Sequence, residues 1–256
     1  MAASGGGSKR GRGRTPRPAA QRAGGKPAKT PKPAKPQKPK PKPKPKPKPT
    51  PAPGPAPLPP GPFRLGAIPG ATPGKWIDTW QRRHPSIDLE LVPLAVADQR
   101  AAIEAGEVDA AIVRLPIDRD GLHVITLYDE VPVVVCAADS HLTAAEELSA
   151  EDLAGEVLIV PADDVLSPEV AGTLAPSFAT LETTGDAVAT VASGVGIVIV
   201  PMSLARLHHR KDADFRPLTD GPTSTVALAW PAAATTSLVE EFVGIVRGRT
   251  ANSSRR

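Results

Sequence analysis

FRLGAIPGATPGKWIDTWQRRHPSIDLELV, residues 63–92, changes its hydrophobic period twice, and those changes set the fold class. FRLGAI (63–68) reads as a strand. Thr72 is suited to cap a helix whose first residue is Pro73, and Trp76, Ile77 and Trp80 recur at helical spacing until His84-Pro85 stops it. IDLELV (87–92) is a second strand. Gly70, Gly74 and Lys75 invite comparison with a phosphate-binding loop, which needs G-x-x-x-x-G-K followed by Ser or Thr to hold Mg²⁺. Here three residues separate the glycines, and Trp76 stands where the hydroxyl is required. The turn reads as the start of a helix, with Lys75 as a solvated helix residue.

The alternation continues downstream. Residues 97–105 read as a short helix closed by Gly106, and VDAAIV (108–113) as a third strand. The order βαβαβ implies a parallel sheet covered by helices, with ligands expected beyond the carboxyl ends of its strands. After LHVITLYDE (122–130), the run VPVVVCAA (131–138) opens a second unit. In it EVLIV (156–160), FATLET (178–183) and GIVIV (196–200) read as strands separated by helical stretches. TSTVALAW (223–230) is strand-like, and residues 237–246 carry Leu238, Val239, Phe242, Val243 and Val246 on one face of a closing helix.

Charge divides the chain more sharply than its net value of +4 suggests. Residues 1–62 hold 16 of the 31 Lys and Arg and none of the 27 acids, which leaves 15 bases against 27 acids, a balance of −12, for the remainder. The first 62 residues are rich in Pro and Gly and carry no aromatic or β-branched apolar side chain. They are expected to be disordered, because they cannot bury enough surface to offset their ordering entropy. From Lys38 to Pro49, Lys and Pro alternate strictly, which excludes helix and leaves an extended chain with ammonium groups about 6 Å apart. Such an array can follow a nucleic-acid backbone without reading its sequence. KRGRGRTPRP (9–18) is similar to the AT-hook, although Thr15 separates Arg14 from Pro16. Arg10, Arg12, Arg14, Lys40, Lys42, Lys44, Lys46 and Lys48 are the candidate nucleic-acid contacts, with a solubilising linker as the alternative. The basic end, residues 249–256, is also expected to be disordered.

Nothing marks a catalyst or a metal centre. His84, His123, His141, His208 and His209 lack metal-ligand spacing, and there is no G-x-S-x-G elbow. The single Cys136 lies in an apolar run and reads as a buried hydrophobe. No cofactor is expected. No apolar run approaches the ~18 residues of a membrane span, and no apolar segment follows the basic N-terminus, so a cytoplasmic location is expected.

Three stretches together resemble the effector-binding domain of LysR-type transcriptional regulators. They are residues 63–92 quoted above, DQRAAIEAGEVDAAIV (98–113) with Gln99, Ile103, Gly106, Val108, Asp109, Ala111 and Ile112 in the family's pattern, and VASGVGIVIVP (191–201). The resemblance covers residues 63–248. It implies an α/β, two-lobe, periplasmic-binding-protein-like (type 2) fold behind the Lys/Pro-rich tail. Lobe I would hold about 63–130 plus 223–248, and lobe II about 131–218. It further implies a small organic acid or amino-acid-like effector between the lobes, and a homodimer. The winged helix-turn-helix that normally opens such a regulator is not found in residues 1–62. A transport solute-binding protein and a nucleoid-associated protein acting through the tail remain as alternatives.

On that fold Gly70, Ala71 and Thr72 would clamp a carboxylate at a helix amino end, and Arg114 would add a charge-assisted contact unless it pairs with Asp118 or Asp120. Ala162 and Asp163 would face them from lobe II, together with Ser193, Gly194 and Val195. Asp163 would suit a cationic group of an amino-acid-like ligand, and the 193–196 turn alternatively needs glycine for backbone reasons alone.

Overall fold

The computed structural model describes residues 61–248. The expectations for residues 1–60 and 249–256, including all eight candidate nucleic-acid contacts, lie outside the described residues.

Lobe I is built from β1 (Phe63–Ala67), α1 (Gly74–Arg83), β2 (Leu89–Pro93), α2 (Gln99–Glu104), β3 (Ala110–Arg114) and β4 (Leu122–Glu130). The chain then crosses at Val131 into lobe II, which contains β5 (Pro132–Ala137), α3 (Thr184–Ala192), β6 (Val198–Pro201), α4 (Met202–Leu207) and β7 (Ala213–Pro217). It returns through residues 218–223 to lobe I for β8 (Ser224–Pro231) and α5 (Ser237–Val246). Among the described residues, no helix is long and apolar enough to cross a membrane.

The lobe I sheet has the order β2-β1-β3-β8-β4, with β1 parallel to β2 and β3, and β8 antiparallel to β3 and β4. Both of its faces are covered. On one, Phe63 stacks on Trp80 of α1 at 4.8 Å between ring centroids and meets Phe242 of α5 at 5.1 Å. Trp80 is fully buried, and its indole N–H donates to the Ile87 carbonyl at 3.0 Å, so the large ring leaves no orphaned donor. On the other face, Leu94, Ile103 and Val108 pack against Val113 and Ala227. These clusters fix the strand ends that border the cleft.

Lobe II repeats the same plan in abbreviated form. Its ladder is β6-β5-β7, with both pairs antiparallel. Isolated parallel bridges join Leu158 to Ile197 and Val157 to Leu174. Residues 157–159 therefore occupy the place of β1, and β6, β5 and β7 those of β3, β8 and β4.

Several elements differ from the sequence reading. EVLIV makes bridges rather than a ladder, and FATLET is not a strand. Residues 177–180 are exposed and pair with no neighbouring strand, and an alternating pattern alone does not form a ladder. Short 3₁₀ turns at His141–Ala144 and Ala150–Leu153 stand where a helical stretch was expected after β5. β7, the sequence ADFRP, escaped notice because an edge strand can carry charge and proline. Helix α1 begins at Gly74 with Pro73 as its cap residue, and no side chain caps it, so Thr72 does not play the capping role.

Candidate functional site

Strands β1, β2 and β3 run parallel, so their carboxyl ends emerge on one edge of lobe I. Pro69, Ala95 to Ala97 and Arg114 follow or end those strands and line a cleft of about 600 Å³. The opposite wall comes from lobe II. Ala162 to Val165 follow the 157–159 segment, Thr183 and Thr184 open α3, and Leu204, Leu207 and His208 belong to α4 and its end. The walls are mainly apolar, with a polar pole on each lobe.

Arg114 makes the lobe I pole. It is 2% exposed. Its Nη1 donates to Glu130 Oε2 at 2.6 Å and to the Ser224 hydroxyl, while its Nε and Nη2 have no partner in the protein. The backbone of Arg114 is held by Gln99, whose side-chain oxygen accepts from Arg114 N and whose amide donates to Arg114 O, both at 2.8 Å. Glu130 is the last residue of β4 before the crossing, and Ser224 is the first of β8 after the return. One guanidinium thus joins the two strands through which the lobes connect. Burial, and next the charge of Glu130, push the Tyr128 phenol above its ordinary value, with Arg114 opposing. Asp118, the partner considered for Arg114 in the sequence, instead meets Arg100 at 3.5 Å.

The lobe II pole centres on Asp163, whose Oδ1 accepts from the Thr184 hydroxyl at 2.9 Å. Asp164 is engaged by its own loop, its Oδ2 accepting from Leu166 N at 3.3 Å and Ser167 N at 2.5 Å.

The remaining sequence candidates lie elsewhere. Gly70 and Ala71 border an adjoining recess with Leu91 and Leu94, and Thr72 borders a smaller one with Ser203 and Arg206. Leu207 touches both recesses and the main cleft. The Gly70 turn is packed against α4. With φ at +83°, a Cβ there would stand 2.5 Å from Ser203 Oγ. Ser193, Gly194 and Val195 sit at the amino end of β6. Since β6 is parallel to the 157–159 segment, that end faces away from the edge where Ala162 and Asp163 emerge. Gly196, at φ +65°, is needed because a Cβ would lie 2.3 Å from the Val157 carbonyl, a backbone reason that involves no ligand.

Of the residues chosen from sequence, the structure brings together Arg114, Ala162 and Asp163. It adds Glu130, Ser224, Gln99, Thr184 and His208. Their one local signal is that Glu130 and Ser224 adjoin the lobe boundaries read from the sequence.

Two lobes about an interlobe cleft suit a ligand-binding domain, and residues 57–251 match the LysR substrate binding domain family. The chain belongs to that family. This LysR substrate-binding domain is 26% identical over 202 residues to the Hca operon transcriptional activator HcaR of Escherichia coli, covering 73% of the chain and 68% of HcaR. It is 29% identical over 163 residues to the transcriptional regulator CatR of Pseudomonas putida, covering 58% of the chain and 54% of CatR. Among solved structures it resembles the reduced OxyR regulatory domain of Pseudomonas aeruginosa, 25% identical with a TM-score of 0.56, over 73% of this chain and 95% of that one. The BenM effector-binding domain with its effector benzoate is 20% identical with a TM-score of 0.59, over 73% of this chain and 90% of that one. That likeness speaks for the fold alone.

Proposed function

We propose that this LysR substrate-binding domain is a sensor that binds a small organic acid or amino-acid-like effector in the interlobe cleft, with Arg114 as the anchor for its acidic end. The observation that carries this reading is the pair of unpartnered nitrogen donors, Nε and Nη2, on a side chain 98% buried at the cleft wall. A buried donor without a partner costs about 1–3 kcal/mol, so an incoming carboxylate oxygen gains more here than at a solvated arginine. Ala162 and Asp163 complete the proposed contact set from lobe II. Because Arg114 also holds Glu130 and Ser224, a ligand bound to it acts on both connecting strands and can shift the equilibrium between lobe arrangements. The function is binding rather than turnover, and the curated relatives' names, which describe transcriptional regulators, support a regulatory output.

Thermal unfolding of the full chain against a panel of carboxylates and amino acids tests this. A true effector at 100 times its dissociation constant stabilises by about 2.7 kcal/mol. Ala97→Phe, which fills the cleft from an exposed position, should remove that stabilisation. If no compound at millimolar concentration raises the midpoint, the sensor reading fails.

The +16 charge of residues 1–62 supports a second, separate activity, salt-sensitive and sequence-independent contact with nucleic acid through Arg10, Arg12, Arg14 and the lysines from Lys40 to Lys48. A gel-shift comparison with and without residues 1–62 tests it. Equal retardation by both chains removes the proposal.

A further inference from the structure

We infer that the effector is bipolar, carrying a cationic donor such as an ammonium group opposite its acidic end. This deepens the sensor reading and rests on it. Three observations converge on Asp163.

The first concerns Arg114. Its charge is answered by Glu130 at 2.6 Å, so the lobe I pole holds unpartnered nitrogen donors without an unbalanced positive charge. It can orient a carboxylate, but it cannot also offset a second negative group.

The second concerns the amino end of α3, where Thr183 and Thr184 reach the cleft. A helix amino end would ordinarily invite an anion. Here a carboxylate of the protein is already in place, because Asp163 Oδ1 accepts from the hydroxyl of Thr184, itself 2% exposed. An incoming anion would meet Asp163, whereas an ammonium group would find an oriented acceptor. Among the described residues neither Asp163 Oδ2 nor Asp164 Oδ1 accepts a hydrogen bond, so each of the two cleft carboxylates keeps one oxygen for a ligand, Asp164 giving only its Oδ2 to the Leu166 and Ser167 amides.

The third is compositional. From Val131 to Ala205 there is no Lys or Arg against 11 acids, and His208 is the one lobe II residue lining the cleft that can carry a positive charge. The buried, half-partnered guanidinium on the opposite wall marks the same cleft as a ligand site independently of the acids. A zwitterion with an apolar body between its ends matches both poles and the apolar walls between them.

The experiment uses the full chain and three length-matched probe series, straight-chain ω-amino acids from glycine to 6-aminohexanoate, the corresponding monocarboxylates, and the corresponding alkylamines. Affinities are read from the concentration dependence of the unfolding midpoint. The expected result is at least one amino acid binding about tenfold or more tighter than the carboxylate and the amine of equal length. Asp163→Asn, which keeps an oxygen for Thr184, should cut that preference several-fold by weakening amino-acid binding, while carboxylate affinity holds or rises. Carboxylates binding as tightly as amino acids would overturn the bipolar effector and leave the Arg114 anchor standing. An equal loss for both series in Asp163→Asn would do the same. Binding by amines alone, or by no series, would overturn the bipolar effector and the Arg114 anchor together.

Discussion

Arg114 Nη1 lies 2.6 Å from Glu130 Oε2, in a contact 2% and 8% exposed at its two side chains, and this pair links the end of β3 to the last residue before the chain leaves lobe I. Breaking one half of such a pair leaves a buried charge alone, which costs about 3–5 kcal/mol. Arg114→Met is therefore expected to lower stability by about that amount in urea unfolding, and Arg114→Met with Glu130→Leu to recover most of it. A double variant no better than the single would show that the pair is not coupled.

The Gly70 turn of lobe I lies against Ser203 of α4. Gly70→Ala must accept a left-handed backbone, at about 1–2 kcal/mol, and also a Cβ 2.5 Å from Ser203 Oγ. Adding Ser203→Gly should relieve the second part and leave the first. Ser203→Ala alone deletes a buried hydroxyl that has no partner, so it is expected to be neutral or to stabilise by up to about 1 kcal/mol in the same titration.

Cys136, the single cysteine of the chain, is 1% exposed in β5. Burial pushes its thiol up, against a smaller lowering by Ser140. It should resist iodoacetamide at neutral pH in the native protein and react only after denaturation, as read by intact mass. Rapid labelling of folded protein would contradict the buried placement of β5.

Asp214 is held below the usual carboxylate range, first by the hydrogen bond from Arg216 and against some desolvation. A depressed carboxyl stabilises the fold above its unfolded value of about 3.9 and loses that contribution as pH falls through its lower folded value. Asp214→Asn should thus cost a little stability at pH 7, less than about 1 kcal/mol because the pair is partly exposed. The gap from the parent chain should close as the pH falls below about 3.9. A gap that widens in acid would reverse the assignment.

Residues 63–113 were legible because each strand, helix and stop changes the hydrophobic period, and α5 because Leu238 to Val246 face one core. Lobe II was harder. Residues 157–159 meet their neighbours through isolated bridges, and β7 is an edge strand whose charges hide it. In the site, Arg114, Ala162 and Asp163 could be read because each ends or follows a chain segment directed at the cleft. Ser193 to Val195 precede β6, and topology sends them to the other edge. Ser224 and Glu130 are 110 and 16 residues from Arg114, and no local pattern connects them to it.

In the proposed sensor the Arg114 guanidinium holds the effector. The most direct measurement is a ¹H–¹⁵N spectrum of the arginine Nε groups, with the Arg114 signal assigned through Arg114→Lys. A compound that stabilises the protein should move that signal while leaving those of exposed arginines such as Arg210 in place. A stabilising compound that binds at saturation and leaves the Arg114 Nε resonance unmoved would contradict the account.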